Sequence, residues 1–137
     1  MKKELRNNFG KLYFMGEFDP ENKWVKNTWI GYQSIDNVIN GANACLEILE
    51  ANNCSLLLND NSKVVGPWDQ TTDWIGKDWA PRAQAIGLTH FAHVASPESY
   101  AALSAELMAS KIEGLFEIRV FETLKVAEEW LLRVSKK

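Results

Sequence analysis

The clearest hydrophobic pattern in the chain is a short apolar run at residues 54–60, which reads Cys-Ser-Leu-Leu-Leu-Asn-Asp. Three consecutive leucines followed by polar residues are typical of a β-strand that is covered on both faces. An amphipathic helical pattern precedes this run, and a tryptophan-rich helical pattern follows it. Alternation of strands and helices indicates a parallel sheet, and we expect residues 54–60 to lie near its middle.

Two strands are predicted before the first helix. Residues 11–18 alternate in side-chain direction as a strand does, and residues 24–30 form a second strand. The segment between them, residues 19–23, reads Asp-Pro-Glu-Asn-Lys and has the composition of a turn. The pattern therefore predicts an antiparallel hairpin.

Two helical patterns flank the leucine-rich strand. Apolar residues recur at helical spacing after Ser34, a good N-cap, and predict a helix that ends near Ala51. Residues 68–86 are also helical in pattern, with Trp79 on the apolar stripe. Pro81 removes a backbone donor, so we expect it to bend this helix or to split it into two.

Two further strand–helix units complete the chain. Residues 88–95 and 116–120 read as strands, and the helix after the first of them is expected to begin at Ser96-Pro97-Glu98. The element order is ββαβαβαβα, with right-handed crossovers that let sequential strands lie side by side. This order predicts an α/β fold with a five-stranded mixed sheet and about four helices.

The length of 137 residues fits a single domain, residues 1–137, with enough chain to bury a core. Residues 1–10 are mostly polar, and we expect them to be frayed. Met1-Lys2-Lys3 is followed by no apolar stretch of the kind that a signal peptide carries. We therefore expect a cytoplasmic protein.

Charge and cysteine content exclude several classes of function. The net charge is −3, so no basic field favours nucleic acid, and no apolar run is long enough for insertion into a membrane. The two cysteines, Cys45 and Cys54, match no metal or redox spacing, which favours a reducing compartment. No cofactor motif is present. The unusual feature is a content of six tryptophans.

The element order and several short motifs resemble the STAS-like fold of anti-sigma-factor antagonists, and more closely its SpoIIAA-like branch, often labelled STAS/SEC14. The resemblance covers about residues 11–132. The motifs that carry it are Trp29-Ile30-Gly31, Leu56-Leu57-Leu58-Asn59-Asp60, Gly66-Pro67-Trp68, Asp78-Trp79-Ala80-Pro81-Arg82 with Gly87, the strand that runs into Ser96-Pro97, and Phe121-Glu122 before Ala127-Glu128-Glu129-Trp130-Leu131. It implies a small cytoplasmic module that binds partners or small apolar molecules.

One motif of the regulatory STAS proteins is not matched. Those proteins carry a phosphorylatable serine or threonine in an Asp-Ser-Ser-Gly-like turn after the third strand. Here residues 59–63 read Asn-Asp-Asn-Ser-Lys, so Ser62 lies nearby but the glycine is missing. Regulation by phosphorylation is therefore not inferred for this chain.

The two histidines, His90 and His93, are the first candidates for chemistry. A spacing of three in a strand places them on opposite faces, so we expect no shared metal and no metal site. Each is most simply a half-buried histidine bonded to a neighbour. No nucleophile and base can be paired from the sequence, which disfavours an enzyme.

A binding site for a partner or ligand is predicted at the carboxyl ends of the parallel strands, around Asp60, Ser62, Trp68 and Trp74. Ligands of open α/β sheets bind at such ends. The segment 60–67 reads as a long loop that leads into a tryptophan-bearing helix, so an apolar wall and a polar rim can meet there. Turn chemistry alone explains the polar residues equally well.

Three functional readings follow from the sequence. The first is a non-catalytic interaction or regulatory module, with a protein partner or a second copy of the chain in a homodimer. The second is a carrier or sensor of a small apolar, lipid-like ligand, which the tryptophan content and the SEC14-like label favour. The third is an enzyme, which the lack of a catalytic set disfavours. An enclosed apolar cavity would favour the second reading, and an exposed flat patch the first.

Overall fold

The computed structural model describes residues 1–96 and 99–136. Six strands form one sheet in the order β1-β2-β3-β4-β5-β6. The strands are β1 (Lys2–Arg6), β2 (Leu12–Asp19), β3 (Trp24–Gly31), β4 (Leu56–Val64), β5 (His90–Val94) and β6 (Glu117–Phe121). The pairs β1–β2 and β2–β3 are antiparallel, whereas β3, β4, β5 and β6 are parallel to one another. The mixed α/β sheet, the hairpin and the sequential strand order are confirmed.

The sheet has six strands and not five, because the N-terminus is not frayed. β1 pairs with β2 from Lys2 opposite Glu17 to Arg6 opposite Leu12. Its side chains are polar, but Leu5 packs against the core and Lys3 forms an ion pair with Glu47 on the first helix. Backbone hydrogen bonds to the edge of β2 hold this strand in the sheet. Such bonds do not depend on side-chain type, so the hydrophobic pattern does not predict them.

Four helical segments lie on the sheet. They are α1 (Ile35–Ala51), a composite segment from residue 69 to 85, α4 (Tyr100–Ile112) and α5 (Leu124–Val134). The composite helix consists of a 3-10 turn (Asp69–Thr71), α2 (Thr72–Trp74), a π-helical turn (Ile75–Trp79) and α3 (Ala80–Ala85).

The structure confirms the predicted start of α1 and corrects that of α4. Ser34 caps α1 by accepting a hydrogen bond from the Asn37 backbone N–H, as the sequence predicts. For α4 the N-cap is Ser99, whose Oγ accepts from the Ala102 N–H, so the start predicted at Ser96 is wrong by three residues. Pro97 and Glu98, the other two residues of that predicted start, lie outside the described residues.

Pro81 interrupts the composite helix without ending it. The proline lies in the first turn of α3, where its missing N–H costs little. The preceding turn is π-helical, with the Ala80 N–H donating to the Ile75 carbonyl five residues back. The break predicted at Pro81 is therefore a local change of helical register, a feature that often lies at functional sites.

The larger core lies on the sheet face that α1, the composite helix and α4 cover. Gly41 of α1 sits directly over the Trp29 indole, and a Cβ at this position would collide with that ring. α5 covers part of the opposite face, where Trp130, Leu131 and Ala127 pack against β4 and β5. No helix among residues 1–96 and 99–136 has both the length and the apolar content needed to cross a membrane.

Candidate functional site

A polar row runs across the face of the sheet beneath α1 and the composite helix. Asn27 on β3 pairs in register with Asn59 on β4, which in turn pairs with His93 on β5. All three side chains are buried, and His93 is fully buried. Strand side chains that are opposite each other in register lie on the same face, so the three polar groups form one line within an apolar core.

Hydrogen bonds connect this row through Asn59. Its Oδ1 accepts from Trp29 Nε1 at 2.8 Å and from Asn27 Nδ2 at 3.2 Å. Its Nδ2 lies 3.1 Å from His93 Nδ1 and also 3.5 Å from Asn61 Oδ1. Asn59 is therefore the centre of a buried network that ties β3, β4 and β5 together.

A cavity of about 50 Å³ adjoins the network. Every residue that lines it is buried. Its walls are mostly apolar and include four aromatic side chains, those of Trp29, Trp68, Trp79 and Phe91. Well-packed interiors contain few voids larger than a water molecule, so a cavity of this size is a distinct feature of the core.

Three asparagines give the cavity its polar part: Asn27, Asn59 and Asn61. Asn61 reaches it because β4 carries one extra residue between the pairs Thr28–Asp60 and Ile30–Lys63. The Asp60 Oδ1 accepts from the Ser62 N–H at 3.0 Å and so stabilises the bulge. Bulges of this kind re-aim side chains and are frequent beside functional sites.

Some buried polar atoms near the cavity have no hydrogen-bond partner among the described residues. They include Asn27 Oδ1, Trp68 Nε1 and His93 Nε2. Trp68 packs against His93, with ring centroids 5.8 Å apart, and its backbone N–H donates to Ser104 Oγ at 3.0 Å. A buried polar group without a partner costs about 1–3 kcal/mol, so several such atoms in one part of the core suggest a binding function.

His93 and Cys45 are uncharged at neutral pH. Burial lowers the pKa of His93 to about 4, although the negative charge of Asp60 acts in the opposite direction. Burial also raises the pKa of the Cys45 thiol, which lines the cavity, to about 12. A protonated thiol is a poor nucleophile, so the geometry does not favour Cys45 as a catalytic residue.

The structure separates the four residues of the predicted site. Trp68 is buried and lines the cavity. Asp60 is buried within β4, and Ser62 is exposed at the bulge. Trp74 is half-buried, packs against the larger core and lies beneath the Arg82 guanidinium, 6.0 Å from the ring centroid. Only Trp68 belongs to both the predicted site and the cavity.

β4 continues to Val64, so the long loop predicted at residues 60–67 is wrong in its first half. The residues that the prediction of the site missed are Asn27, Asn59, Asn61 and His93, which is fully buried and not half-buried as predicted. Each of Asn27, Asn59 and His93 follows an apolar residue two positions earlier on the same strand face. A polar residue at an inward position on three strands is the signal that could have identified them.

The two histidines lie on opposite faces of the sheet, as predicted. His90 lies on the α5 side, where its Nε2 is 3.3 Å from Glu117 and its ring contacts Trp130. Within residues 1–96 and 99–136, no group of three or more histidine, cysteine, aspartate or glutamate side chains is placed to hold a metal ion.

Comparison with protein-family models, with curated proteins and with solved structures finds no match to this chain.

Proposed function

We propose that this chain is a non-catalytic module that binds a small, largely apolar molecule in its internal cavity. The observation that carries the proposal is the cavity itself, about 50 Å³ in volume, walled by aromatic and aliphatic side chains and adjoined by buried polar groups. Ligand sites combine apolar walls with a few placed polar groups in this way. The resemblance to the STAS/SEC14 group supports the same reading.

The volume sets the size of the ligand. A cavity needs about 10–15 Å³ to hold one water molecule, and a cavity of about 150 Å³ in another protein binds benzene. At about 50 Å³, this cavity fits a molecule of only a few heavy atoms. A long acyl chain would enter only if lining side chains moved, and Met108 is the most adaptable of them.

Filling the cavity is expected to abolish binding. Xenon and small organic molecules should shift the amide resonances of residues around Trp29 and Phe91 in NMR spectra of the wild-type protein. In Ala42→Leu, whose larger side chain projects from a lining position on α1, these shifts should disappear. The melting temperature of this variant should not fall if the new side chain fills the void without strain.

The control is Asn40→Leu, which places the same side chain at an exposed position of α1 and should leave the ligand shifts intact. Shifts that are as large in Ala42→Leu as in the wild type, or that cluster elsewhere, would contradict cavity binding.

A second candidate function is protein binding, and the exposed face of α4 favours it. Tyr100 and Leu103 are 73% and 72% exposed, and Leu107 is 40% exposed. Their spacing of i, i+3 and i+7 places them on one stripe of the helix. Such a stripe is typical of a contact surface and is consistent with an interaction module or a homodimer.

Leu103→Glu is expected to abolish any association through this stripe while leaving the fold unchanged, because the side chain projects from the surface. Sedimentation equilibrium would detect a dimer, and co-purification would detect another partner. The control Glu106→Gln changes an exposed residue of the same helix. Equal association of the wild type and Leu103→Glu would exclude the stripe as the interface.

A further inference from the structure

The outer edge of β6 has backbone groups that can pair with another strand. In the described part of the chain, β6 is the last strand of the sheet and pairs only with β5. The Glu117 N–H donates to the Thr89 carbonyl, in the direction of β5. Successive residues of a strand alternate in this direction, so the N–H and C=O groups of Ile118 and Val120 face away from the sheet. Such an edge is a template for pairing with another chain.

The opposite edge of the sheet, β1, is less suited to pairing. Its register with β2 shifts between Leu5 and Arg6, and the Arg6 guanidinium donates to the Gly10 carbonyl at 3.1 Å. Bulges of this kind are one of the devices by which edge strands avoid pairing. β6 pairs with β5 in unbroken register from Glu117 to Phe121 and has no such bulge.

The side chains of β6 differ between its two faces. Ile118 and Val120, together with Phe116 just before the strand, pack against the larger core but are only partly buried. Glu117 and Arg119 are exposed on the opposite face, where the Arg119 guanidinium lies 3.1 Å from the Glu117 carboxylate. The strand therefore presents an incompletely covered apolar row on one face and two opposite charges on the other.

One antiparallel register between two copies of β6 suits both faces. When Ile118 lies opposite Ile118 of the second copy, Glu117 lies opposite Arg119 and Phe116 opposite Val120. Each charge then meets its opposite, and the apolar side chains meet on the other face. The outward N–H and C=O groups of the two Ile118 residues also face each other, as a hydrogen-bonded antiparallel pair requires.

The charges select this register over its neighbours. An antiparallel pair centred on Arg119 would place the two Arg119 side chains directly opposite each other, and a pair centred on Glu117 would do the same with two carboxylates. Like charges in directly opposite positions are destabilising. Only the pair centred on Ile118, between the two charged residues, matches both of them with an opposite charge.

We propose that two copies of this chain associate through β6, in an antiparallel pair centred on Ile118 that joins their sheets into one. The partner is a second copy because the charge pattern of β6 is complementary to itself, as a two-fold symmetric interface requires. The proposal is independent of ligand binding in the cavity, and it uses a different surface from the exposed stripe of α4.

The wild-type protein provides the first test. Sedimentation equilibrium over a range of concentrations is expected to show a monomer–dimer equilibrium. As the dimer forms, hydrogen exchange of the Ile118 and Val120 amides should slow at least about tenfold. The Glu4 amide is the matched control: the Met1 carbonyl bonds to Phe18 of β2, so by alternation the Glu4 N–H faces outward on the other edge and should not change.

Two charge variants test the register. Glu117→Arg would place cations opposite each other and Arg119→Glu anions, so each variant alone should dimerise at least about tenfold more weakly than the wild type. An equimolar mixture of the two should regain association, because each anion of one variant then faces a cation of the other. Regained association also shows that both variants fold. Glu50→Arg makes the same change at an exposed position of α1 and should dimerise as the wild type does.

Three outcomes would overturn the proposal. The first is a wild-type protein that stays monomeric at every concentration. The second is a mixture of the two charge variants that associates no better than either variant alone. The third is a dimer that is lost in Leu103→Glu and unchanged in Glu117→Arg, which would place the contact on the α4 stripe. None of these outcomes bears on cavity binding, which the ligand shifts in NMR spectra test separately.

Discussion

Replacing Trp79 with alanine is expected to lower the free energy of unfolding by about 3–5 kcal/mol, the range observed for large buried aromatic residues. Trp79 is 3% exposed, and its Nε1 donates to the Ala42 carbonyl at 2.8 Å. Its ring also makes edge contacts with Phe91 and Phe116. The change would enlarge the cavity, which Trp79 lines, as well as remove these contacts. Urea denaturation followed by far-UV circular dichroism would measure the loss.

Two further variants separate packing from hydrogen bonding at this position. Trp79→Phe keeps most of the apolar surface and should lose less, because it removes mainly the indole donor. Trp74→Ala removes a tryptophan of the same composite helix that is only half-buried, and its cost should also be smaller. A loss below about 1 kcal/mol for Trp79→Ala, the range of surface changes, would show that the composite helix is not anchored by this residue.

The position of Trp79 is a part of the fold that the sequence predicts well. Its helical stripe, the leucine run of β4 and the N-cap at Ser34 are local patterns with strong signals. Each depends only on residues a few positions apart. β4 does lie between β3 and β5, as the continuous apolar run predicts for a strand covered on both faces.

The first strand could not be predicted in the same way. Residues 2–6 are charged at four of five positions and expose every second side chain, a pattern that also fits a frayed terminus. What fixes β1 is its backbone pairing with β2, together with Leu5 and the ion pair of Lys3. These are contacts between residues distant in sequence, which hydrophobic periodicity does not report.

The cavity and its polar row were missed for a related reason. Asp60, Asn61 and Ser62 have the composition of a turn, and local propensity assigns the segment after Asn59 to a loop. In the structure they continue β4, because Asn59 bonds to Trp29 and Asn27 on one neighbouring strand and to His93 on the other. Only the register of three strands reveals that these polar groups meet.

The same network should make the stability of the protein depend on pH in a defined window. His93 has a pKa of about 4 in the folded protein and 6.5 as an unperturbed side chain, with burial as the main cause. Between these values the unfolded state binds more protons than the folded state, so the free energy of unfolding rises with pH. The contribution of neutral His93 to the free energy of unfolding is complete above pH 6.5 and is lost as the pH falls toward 4.

The orientation of the Asn59 amide explains why the imidazolium is disfavoured. The Trp29 Nε1–H can only donate, so it fixes Asn59 Oδ1 on its own side and Asn59 Nδ2 toward His93. Protonation would place a second donor, His93 Nδ1–H, against Asn59 Nδ2–H, and Asn59 cannot turn without losing its bond to Trp29 Nε1. At about 1.36 kcal/mol for each pKa unit, the gap between 6.5 and about 4 corresponds to about 3 kcal/mol. Asp60 lies near enough to offset part of the cost by its charge.

Urea denaturation at several pH values between 7 and 4.5 would measure this dependence, and an NMR titration of the His93 ring would follow its protonation directly. His93→Gln is expected to be less stable at pH 7 but to lack most of the fall in stability between pH 6.5 and 4.5. His90→Gln, which changes the histidine on the opposite face of the sheet, should retain that fall. If the wild type and His93→Gln lose stability in parallel as the pH falls, His93 does not control this transition and its imidazole is not held neutral by burial.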